Sequence, residues 1–139
     1  AGKKPIVINE RMDFMALAMD PIINHIAVWP ARSPLVRMGL VVLAVVGKGK
    51  GQGPQHSKNL TPWFRQLEGI EVIEPCSADD AYLSLTSALL YGKRPVVFVV
   101  HREFFSRTDR FTPPRPDRVG LCGAAKRFEE KFYTLPSSR

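Results

Sequence analysis

Two almost uninterrupted apolar runs, residues 35–46 and 95–100, constrain the fold of this chain more than any other feature. Such runs are typical of central strands in a parallel sheet, because both faces of the strand are covered and no position has to face water. Shorter apolar runs at residues 5–8 and 70–73 predict two further strands. Helical patterns lie between the runs, and parallel strands need such long crossover connections. The sequence therefore predicts an α/β fold, an incomplete three-layer domain with a mostly parallel sheet of about four strands.

Three segments between the predicted strands have the spacing of helices. Apolar residues recur at helical intervals over residues 13–29, where Asp20-Pro21 either starts a new helix or kinks the existing one. A short helix is predicted over residues 59–68. A longer helix is predicted over residues 77–91, because the segment opens with a capping-box pattern and Gly92 follows it.

The last part of the chain, residues 106–139, has a different composition. Residues 107–118 are rich in Arg, Pro and Asp, which predicts a basic extended arm. Residues 124–133 have the pattern of one short helix. We therefore divide the chain into a folded domain at residues 4–105 and a basic, Pro/Arg-rich C-terminal arm at residues 106–139.

The charge balance restricts the classes of partner. The chain carries 20 Lys and Arg residues against 13 Asp and Glu residues, a formal net charge of +7. This excess favours acidic partners, and nucleic acid is one such class. However, the basic residues are not interleaved with aromatic residues as on RNA-binding surfaces, so a nucleic-acid role is not favoured. No segment approaches the roughly 18 apolar residues that a membrane span needs.

Cysteine and histidine usage gives no indication of a metal site. The two cysteines, Cys76 and Cys122, form no Cys-x-x-Cys motif and have no metal-site spacing with the three histidines. We therefore predict that this chain contributes no metal ligands. Two unpaired thiols are typical of an intracellular protein.

A glycine-rich loop, residues 47–57, follows the first long apolar run and ends in Gln55-His56-Ser57. Ligands of open α/β sheets bind at the carboxyl edge of the strands, so this loop is a candidate active-site loop. His56 is a candidate acid or base because its ordinary pKa lies near neutrality. The glycine spacing matches neither a Walker A motif nor a dinucleotide-binding fingerprint. A flexible basic turn without chemistry remains the alternative.

Several segments resemble, in one order, the β subunits of thiamine-diphosphate-dependent 2-oxo acid dehydrogenases of the pyruvate dehydrogenase E1 type. The first resembles the family's Phe…Asp-Gln-Ile-x-Asn-x-x-Ala segment, and the glycine loop resembles its Gly-x-x-His-Ser loop. Together the matching segments extend over residues 4–105. The resemblance implies the pyrimidine-binding domain of the transketolase-like superfamily. The segments are residues 7–27, 51–57, 63–64, 69–75, 79–81 and 94–98.

The resemblance also implies roles for individual residues. It puts Phe14 against the aminopyrimidine ring of thiamine diphosphate and makes His56 the active-site histidine that assists acyl transfer to a lipoyl group. Asp20 and Asn24 fall on the helix that forms the subunit interface. The diphosphate and its Mg²⁺ are held by another chain. The loop that carries the histidine is formed by Gly51, Gly53, Gln55 and Ser57.

Departures from the family pattern leave two hypotheses open. The family's domain begins before Lys4 with its first strands and a glutamate that activates the ring, so we expect an N-terminally truncated domain without autonomous catalysis. The chain is then an oxidoreductase subunit or fragment that needs an E1-α-like subunit and complementing chains. Alternatively, it is a non-catalytic subunit, without cofactor, reused as a structural component of a larger assembly, such as an organellar complex. The predicted location is intracellular, in the mitochondrial matrix or the bacterial cytoplasm.

Overall fold

The computed structural model describes residues 3–48 and 51–106, and these residues contain one parallel sheet. Its strand order is β1-β2-β4-β3, and each neighbouring pair is parallel. The predicted α/β fold with about four strands is confirmed. The predicted arm lies outside the described residues except for its first residue. The strands are β1 (Ile6–Asn9), β2 (Val41–Val46), β3 (Glu71–Ile73) and β4 (Val96–His101).

One face of the sheet is covered by α3 (Ala78–Tyr91). Ala88 packs there with Val41, Val96 and Phe98 in a buried cluster. The helix begins as predicted, because the Ser77 hydroxyl accepts a hydrogen bond from the Asp80 N–H at 3.1 Å. It also ends as predicted, at Tyr91 directly before Gly92. Among the described residues no helix is long and apolar enough to cross a membrane.

The other face is covered by three short helical segments. They are a 3-10 turn at Met12–Ala18, a π turn at Pro21–Ile26 and α2 (Thr61–Arg65), whereas the short helix α1 (Trp29–Arg32) has no buried residue. Because side chains alternate along a strand, this face collects the other half of the residues of β2 and β4. The buried cluster on this face contains Met12, Met15, Ile22, Val42, Ala44, Val46, Phe64, Ile70, Val97 and Val99.

The helical pattern at residues 13–29 does not form one regular helix. Pro21 occupies the first turn of a separate segment, and Asp20 before it makes no side-chain cap hydrogen bond. Proline has no N–H to donate to the preceding turn, so the hydrogen-bond pattern changes there while the backbone stays helical. The predicted apolar spacing is met only in part, because Ile22 is buried and Ala18 and Ile26 pack against the core, whereas Leu17 is 88% exposed.

The strand predicted over residues 35–46 is also shorter than expected, since β2 begins only at Val41. Leu35 before it is 96% exposed. Both neighbouring strands start where β2 starts, because Val41 is opposite Ile6 in β1 and Val96 in β4. A proline precedes each of these partners, at residues 5 and 95, and proline cannot donate to a ladder. Residues 35–40 therefore lie outside the strand, although the Met38 N–H donates to the Lys93 carbonyl oxygen at 3.3 Å and the Leu40 carbonyl oxygen accepts the Val96 N–H at 2.8 Å.

Candidate functional site

The glycine loop and the 3-10 turn at Met12–Ala18 lie at the carboxyl edge of the sheet, where ligands of open α/β sheets bind. The turn follows β1, and Gly47 directly follows β2. Three loop glycines have backbone φ angles in the left-handed region: Gly47 at +98°, Gly51 at +72° and Gly53 at +70°. Side-chain-bearing residues rarely adopt such angles, so the path of this loop depends on glycine.

Phe14 and His56, the two residues with predicted roles in cofactor binding and acyl transfer, lie in contact. Their ring centroids are 5.3 Å apart with an interplanar angle of 70°, an edge-to-face arrangement. Phe14 is 46% exposed, so much of its ring is free to contact another group. The structure therefore brings these residues to one place, although they come from separate segments. Their chemical roles remain predictions.

The loop around His56 is shaped by local hydrogen bonds. The His56 Nδ1 atom lies 3.0 Å from the carbonyl oxygen of Gln52. The Ser57 hydroxyl donates to the Gly53 carbonyl oxygen at 2.8 Å, and the Lys58 ammonium donates to that of Pro54 at 3.3 Å. Of the predicted loop residues, Gln55 lies in a short 3-10 turn at Pro54–His56, and Gly53 and Ser57 flank this turn and are joined by the Ser57 hydroxyl.

Two arginines that the sequence analysis missed hold this loop to the sheet. Arg11 is only 6% exposed, and its guanidinium donates to the Gly47 carbonyl oxygen at 3.0 Å and to the Gln52 amide oxygen. Arg102, directly after β4, donates to the same Gln52 oxygen at 2.7 Å. No spacing rule links these three positions, so the sequence carries no local signal for this network.

A third residue that the sequence analysis did not assign to the loop site is Asp13. Its side chain is 6% exposed, and its Oδ1 accepts the backbone N–H of Lys58 at 3.2 Å. The Lys58 ammonium lies 3.5 Å from the same oxygen, but the lysine is exposed and such pairs contribute little. The other carboxylate oxygen, Oδ2, is buried and has no hydrogen-bond partner within the described part of the chain. An acceptor is therefore available one residue before Phe14.

An open depression of about 490 Å³ lies beside the loop. Two lysines, Lys48 and Lys58, make its lining positively charged, together with Gly53, Pro54 and Ser57. Phe14 and His56 are not among its lining residues. The depression therefore adds a basic surface next to the aromatic pair and is not itself the space in which the two rings meet.

His101 has a specific partner, which the sequence analysis did not anticipate. Its Nε2 lies 2.7 Å from a carboxylate oxygen of Glu74, and Arg65 donates to the other oxygen at 2.9 Å. Burial alone would raise the pKa of Glu74, but the hydrogen bonds from His101 and Arg65 more than offset it and hold that pKa below its ordinary value. This cluster lies at the carboxyl ends of β3 and β4.

Glu71, at the start of β3, has the opposite electrostatic environment. Burial raises the pKa of its carboxyl to about 7, although the charge of Arg94 partly counteracts this. One of its oxygens is buried without a hydrogen-bond partner among the described residues. Glu71 lies at the amino end of its strand, away from the loop site at the carboxyl edge.

The two predicted interface residues lie on the surface of the π turn and contact each other. The Asn24 amide donates to the Asp20 carboxylate at 2.7 Å, and both residues are exposed. Their position is compatible with contact to another chain, which the structure does not contain. The interface role of Asp20 and Asn24 stays a prediction.

Comparison with known proteins gives this geometry a context. Residues 1–106 match the family described as transketolase, pyrimidine binding domain. The chain is 34% identical over 104 residues to the mitochondrial pyruvate dehydrogenase E1 component subunit beta-1 of Arabidopsis thaliana. It is 33% identical over 99 residues to the corresponding mitochondrial subunit of Saccharomyces cerevisiae. It is also 31% identical over 110 residues to the β subunit of an acetoin:2,6-dichlorophenolindophenol oxidoreductase of Cupriavidus necator.

These matches cover most of this chain but a small part of each relative. They extend over 71%, 70% and 75% of this chain, respectively. The matched portion is 27%, 27% and 31% of the relatives' own length. The family match covers the whole described sheet together with the glycine loop. The chain therefore belongs to the family of transketolase-type pyrimidine-binding domains, with relatives among the β subunits of E1-type dehydrogenases.

Proposed function

We propose that this chain supplies the pyrimidine side of a thiamine diphosphate site to an E1-type 2-oxo acid dehydrogenase, and that it is active only with complementing chains. The observation that carries the proposal is the contact between Phe14 and His56 at the carboxyl edge of the sheet. The family resemblance assigns a cofactor-binding role to the first residue and an acyl-transfer role to the second. Their proximity is what such a site requires.

The residues at the site fit the ring half of this cofactor. Phe14 offers a half-exposed aromatic surface on which a planar heterocycle can pack. The Asp13 carboxylate next to Phe14 has one oxygen without a hydrogen-bond partner among the described residues, so its capacity to accept an N–H is unused. When bound, thiamine diphosphate supplies the carbanion chemistry of 2-oxo acid decarboxylation, and the protein supplies orientation and electrostatics.

The described residues contain no cluster of ligands for the Mg²⁺ that accompanies the diphosphate. Over residues 3–48 and 51–106, no group of three or more His, Cys, Asp or Glu side chains is arranged to hold a metal ion. We propose that an E1-α-like chain holds Mg²⁺ and the diphosphate, and that the exposed Asp20–Asn24 pair belongs to the interface. By analogy with the named relatives, the complex would be located in the mitochondrial matrix or the bacterial cytoplasm.

Purification of the full chain with its native partner, followed by substitution at the aromatic pair, tests the proposal. We expect His56→Ala to lower the rate of acyl transfer by about 10²-fold or more while thiamine diphosphate still binds, since the loss of a positioned acid or base has this effect. We expect Phe14→Ala to weaken cofactor binding about tenfold, because it removes one aromatic contact. Calorimetry measures binding, and a lipoyl-acceptor assay measures turnover.

The matched control is Phe105→Ala, because Phe105 is equally aromatic, 68% exposed and outside the loop site. It should leave both measurements unchanged. Full acyl-transfer activity in the His56→Ala complex would contradict the proposed role of this residue.

The second candidate is a non-catalytic subunit of a larger assembly. The observation behind it is the edge strand β1, whose apolar side chains Ile6, Val7 and Ile8 are exposed and would be covered in either kind of complex. Such an edge is normally covered by another chain or segment. Two results together would favour this candidate. The chain is stably incorporated into an assembly that does not bind thiamine diphosphate, and the activity of that assembly is unchanged by His56→Ala.

A further inference from the structure

Gln52 joins three segments at the loop site through one atom. Its side-chain oxygen accepts hydrogen bonds from Arg11, which precedes the 3-10 turn, and from Arg102, which follows β4. Arg11 also donates to the carbonyl oxygen of Gly47, so one buried guanidinium holds residues on both sides of the loop. Two charged donors on one amide oxygen make a strong attachment point.

The backbone carbonyl of the same residue determines the state of the His56 ring. A carbonyl oxygen can only accept a hydrogen bond, so the His56 Nδ1 atom, 3.0 Å away, must carry a proton to form this contact. In the neutral ring the other nitrogen, Nε2, then has a free lone pair. Within the described residues Nε2 makes no hydrogen bond, so it is available to a substrate or cofactor.

The loop backbone needs the attachment through Gln52 because its glycines make it flexible. Gly51 and Gly53 flank Gln52, and both have φ angles in the left-handed region. Glycine visits many backbone conformations at little cost, so the direction of the Gln52 carbonyl is not determined by the chain itself. The side-chain bonds to the two arginines supply the missing restraint.

We propose that Gln52 is a positioning residue for His56. Its arginine-held side chain directs its carbonyl oxygen at Nδ1, and this contact keeps His56 in the Nδ1–H tautomer with Nε2 as the reactive nitrogen. The inference rests on the proposed function for the role of His56, but the tautomer itself is a property of the chain alone. Gln52 acts through His56 and does not touch the reacting atoms.

The test is the tautomer of His56 in the isotopically labelled full-length chain. Long-range ¹⁵N–¹H correlation spectra, recorded where the imidazole is neutral, distinguish protonated from unprotonated ring nitrogens. The His56→Ala variant identifies the His56 signals among those of the three histidines. We expect the wild-type chain to show Nδ1–H. We expect Gln52→Leu, which cannot accept either arginine bond, to shift His56 to a mixture or to Nε2–H.

Two further variants separate this role from a general loss of structure. Gln52→Glu keeps an acceptor between the arginines and should retain the wild-type tautomer. Gln66→Leu makes the same chemical change at an exposed glutamine outside the loop and should change nothing. If Gln52→Leu does not fold, Arg102→Met removes one of the two donors from the same oxygen and should give a partial shift.

Two results would overturn the inference. One is an Nε2–H tautomer in the wild-type chain, and the other is an unchanged tautomer in Gln52→Leu or, if that variant does not fold, in Arg102→Met. Neither measurement needs cofactor or turnover. A chain with the expected tautomers whose complex is insensitive to His56→Ala would therefore contradict the proposed function and leave the positioning role of Gln52 intact.

Discussion

At the scale of single residues, Glu71 is the group whose ionisation the fold changes most clearly. Burial raises the pKa of its carboxyl from 4.5 to about 7. The folded chain therefore binds this proton more tightly than the unfolded chain does between these two values. The free energy of unfolding falls as the pH rises from about 4.5 to about 7, and the loss is complete above that range.

Replacing Glu71 with glutamine should remove this pH dependence. We expect Glu71→Gln to be more stable than wild type at pH 8 by on the order of 1 kcal/mol, because solvent access to the partly exposed carboxyl reduces the full linkage effect. Urea unfolding measures the difference at a series of pH values from about 5 to about 8, a range that brackets the titration of Glu71. The exposed Glu103→Gln variant is the control. Parallel stability curves for wild type and Glu71→Gln would show that the burial of Glu71 has no such cost.

Residues also show why a local pattern is a poor guide to electrostatics. His101 ends an apolar strand, and nothing in its immediate sequence indicates a carboxylate partner. The partner, Glu74, follows β3 and reaches His101 only because β3 and β4 are neighbours in the sheet. The lowered pKa of Glu74 is therefore a consequence of strand order.

At the scale of elements, the connection between α2 and β3 depends on Gly69. A Cβ at this position would lie 1.5 Å from the carbonyl oxygen of Ala27, which follows the π turn. The atoms that such a Cβ would meet belong to the Ala27 backbone, so no side-chain movement can relieve the contact. The close approach of these two segments is what allows both to pack on the same face of the sheet.

We therefore expect Gly69→Ala to destabilise the fold by about 2–4 kcal/mol, through forced separation of two backbone segments. Thermal and urea unfolding measure the loss. The control is Gly39→Ala, whose Cβ would meet only the flexible side chain of Lys4 at 3.1 Å. Equal stabilities of the two variants would contradict the importance of this approach.

At the scale of the whole molecule, the free edge of β1 is the most exposed apolar feature of the sheet. Ile8 is 63% exposed, and β1 pairs with β2 on one side only. Edge strands with exposed apolar side chains tend to pair with other chains. This property fits a subunit that is covered in its complex, in agreement with both candidate functions.

Ile8→Lys should lower the self-association of the isolated chain without lowering its stability, because the lysine faces solvent and charges on an edge strand oppose pairing. Sedimentation velocity over a range of concentrations measures the effect. Leu17→Lys introduces the same charge at a residue that is 88% exposed but outside the sheet. An identical effect of both variants would attribute the change to net charge rather than to the edge.

Local signals in the sequence were sufficient to predict α3 and β4. Ser77 and Gly92 determine where the helix begins and ends, through contacts within a few residues. The apolar, valine-rich run after Pro95 must be covered on both faces, and a central strand provides this cover. The family resemblance was sufficient to select Phe14 and His56 as candidates. It could do so because the order of motifs along the chain can be read from the sequence without the structure.

Only the tertiary structure decided the start of β2, the division of residues 13–29 and the surroundings of His56. Residues 35–40 are mostly apolar but lie before the starts of both neighbouring strands, which is a matter of register. Arg11, Gln52 and Arg102 meet because parallel strands end at one edge of the sheet, which brings residues from distant segments within hydrogen-bonding distance. Such contacts depend on strand order, and strand order has no local signature, because it results from the packing of all elements at once.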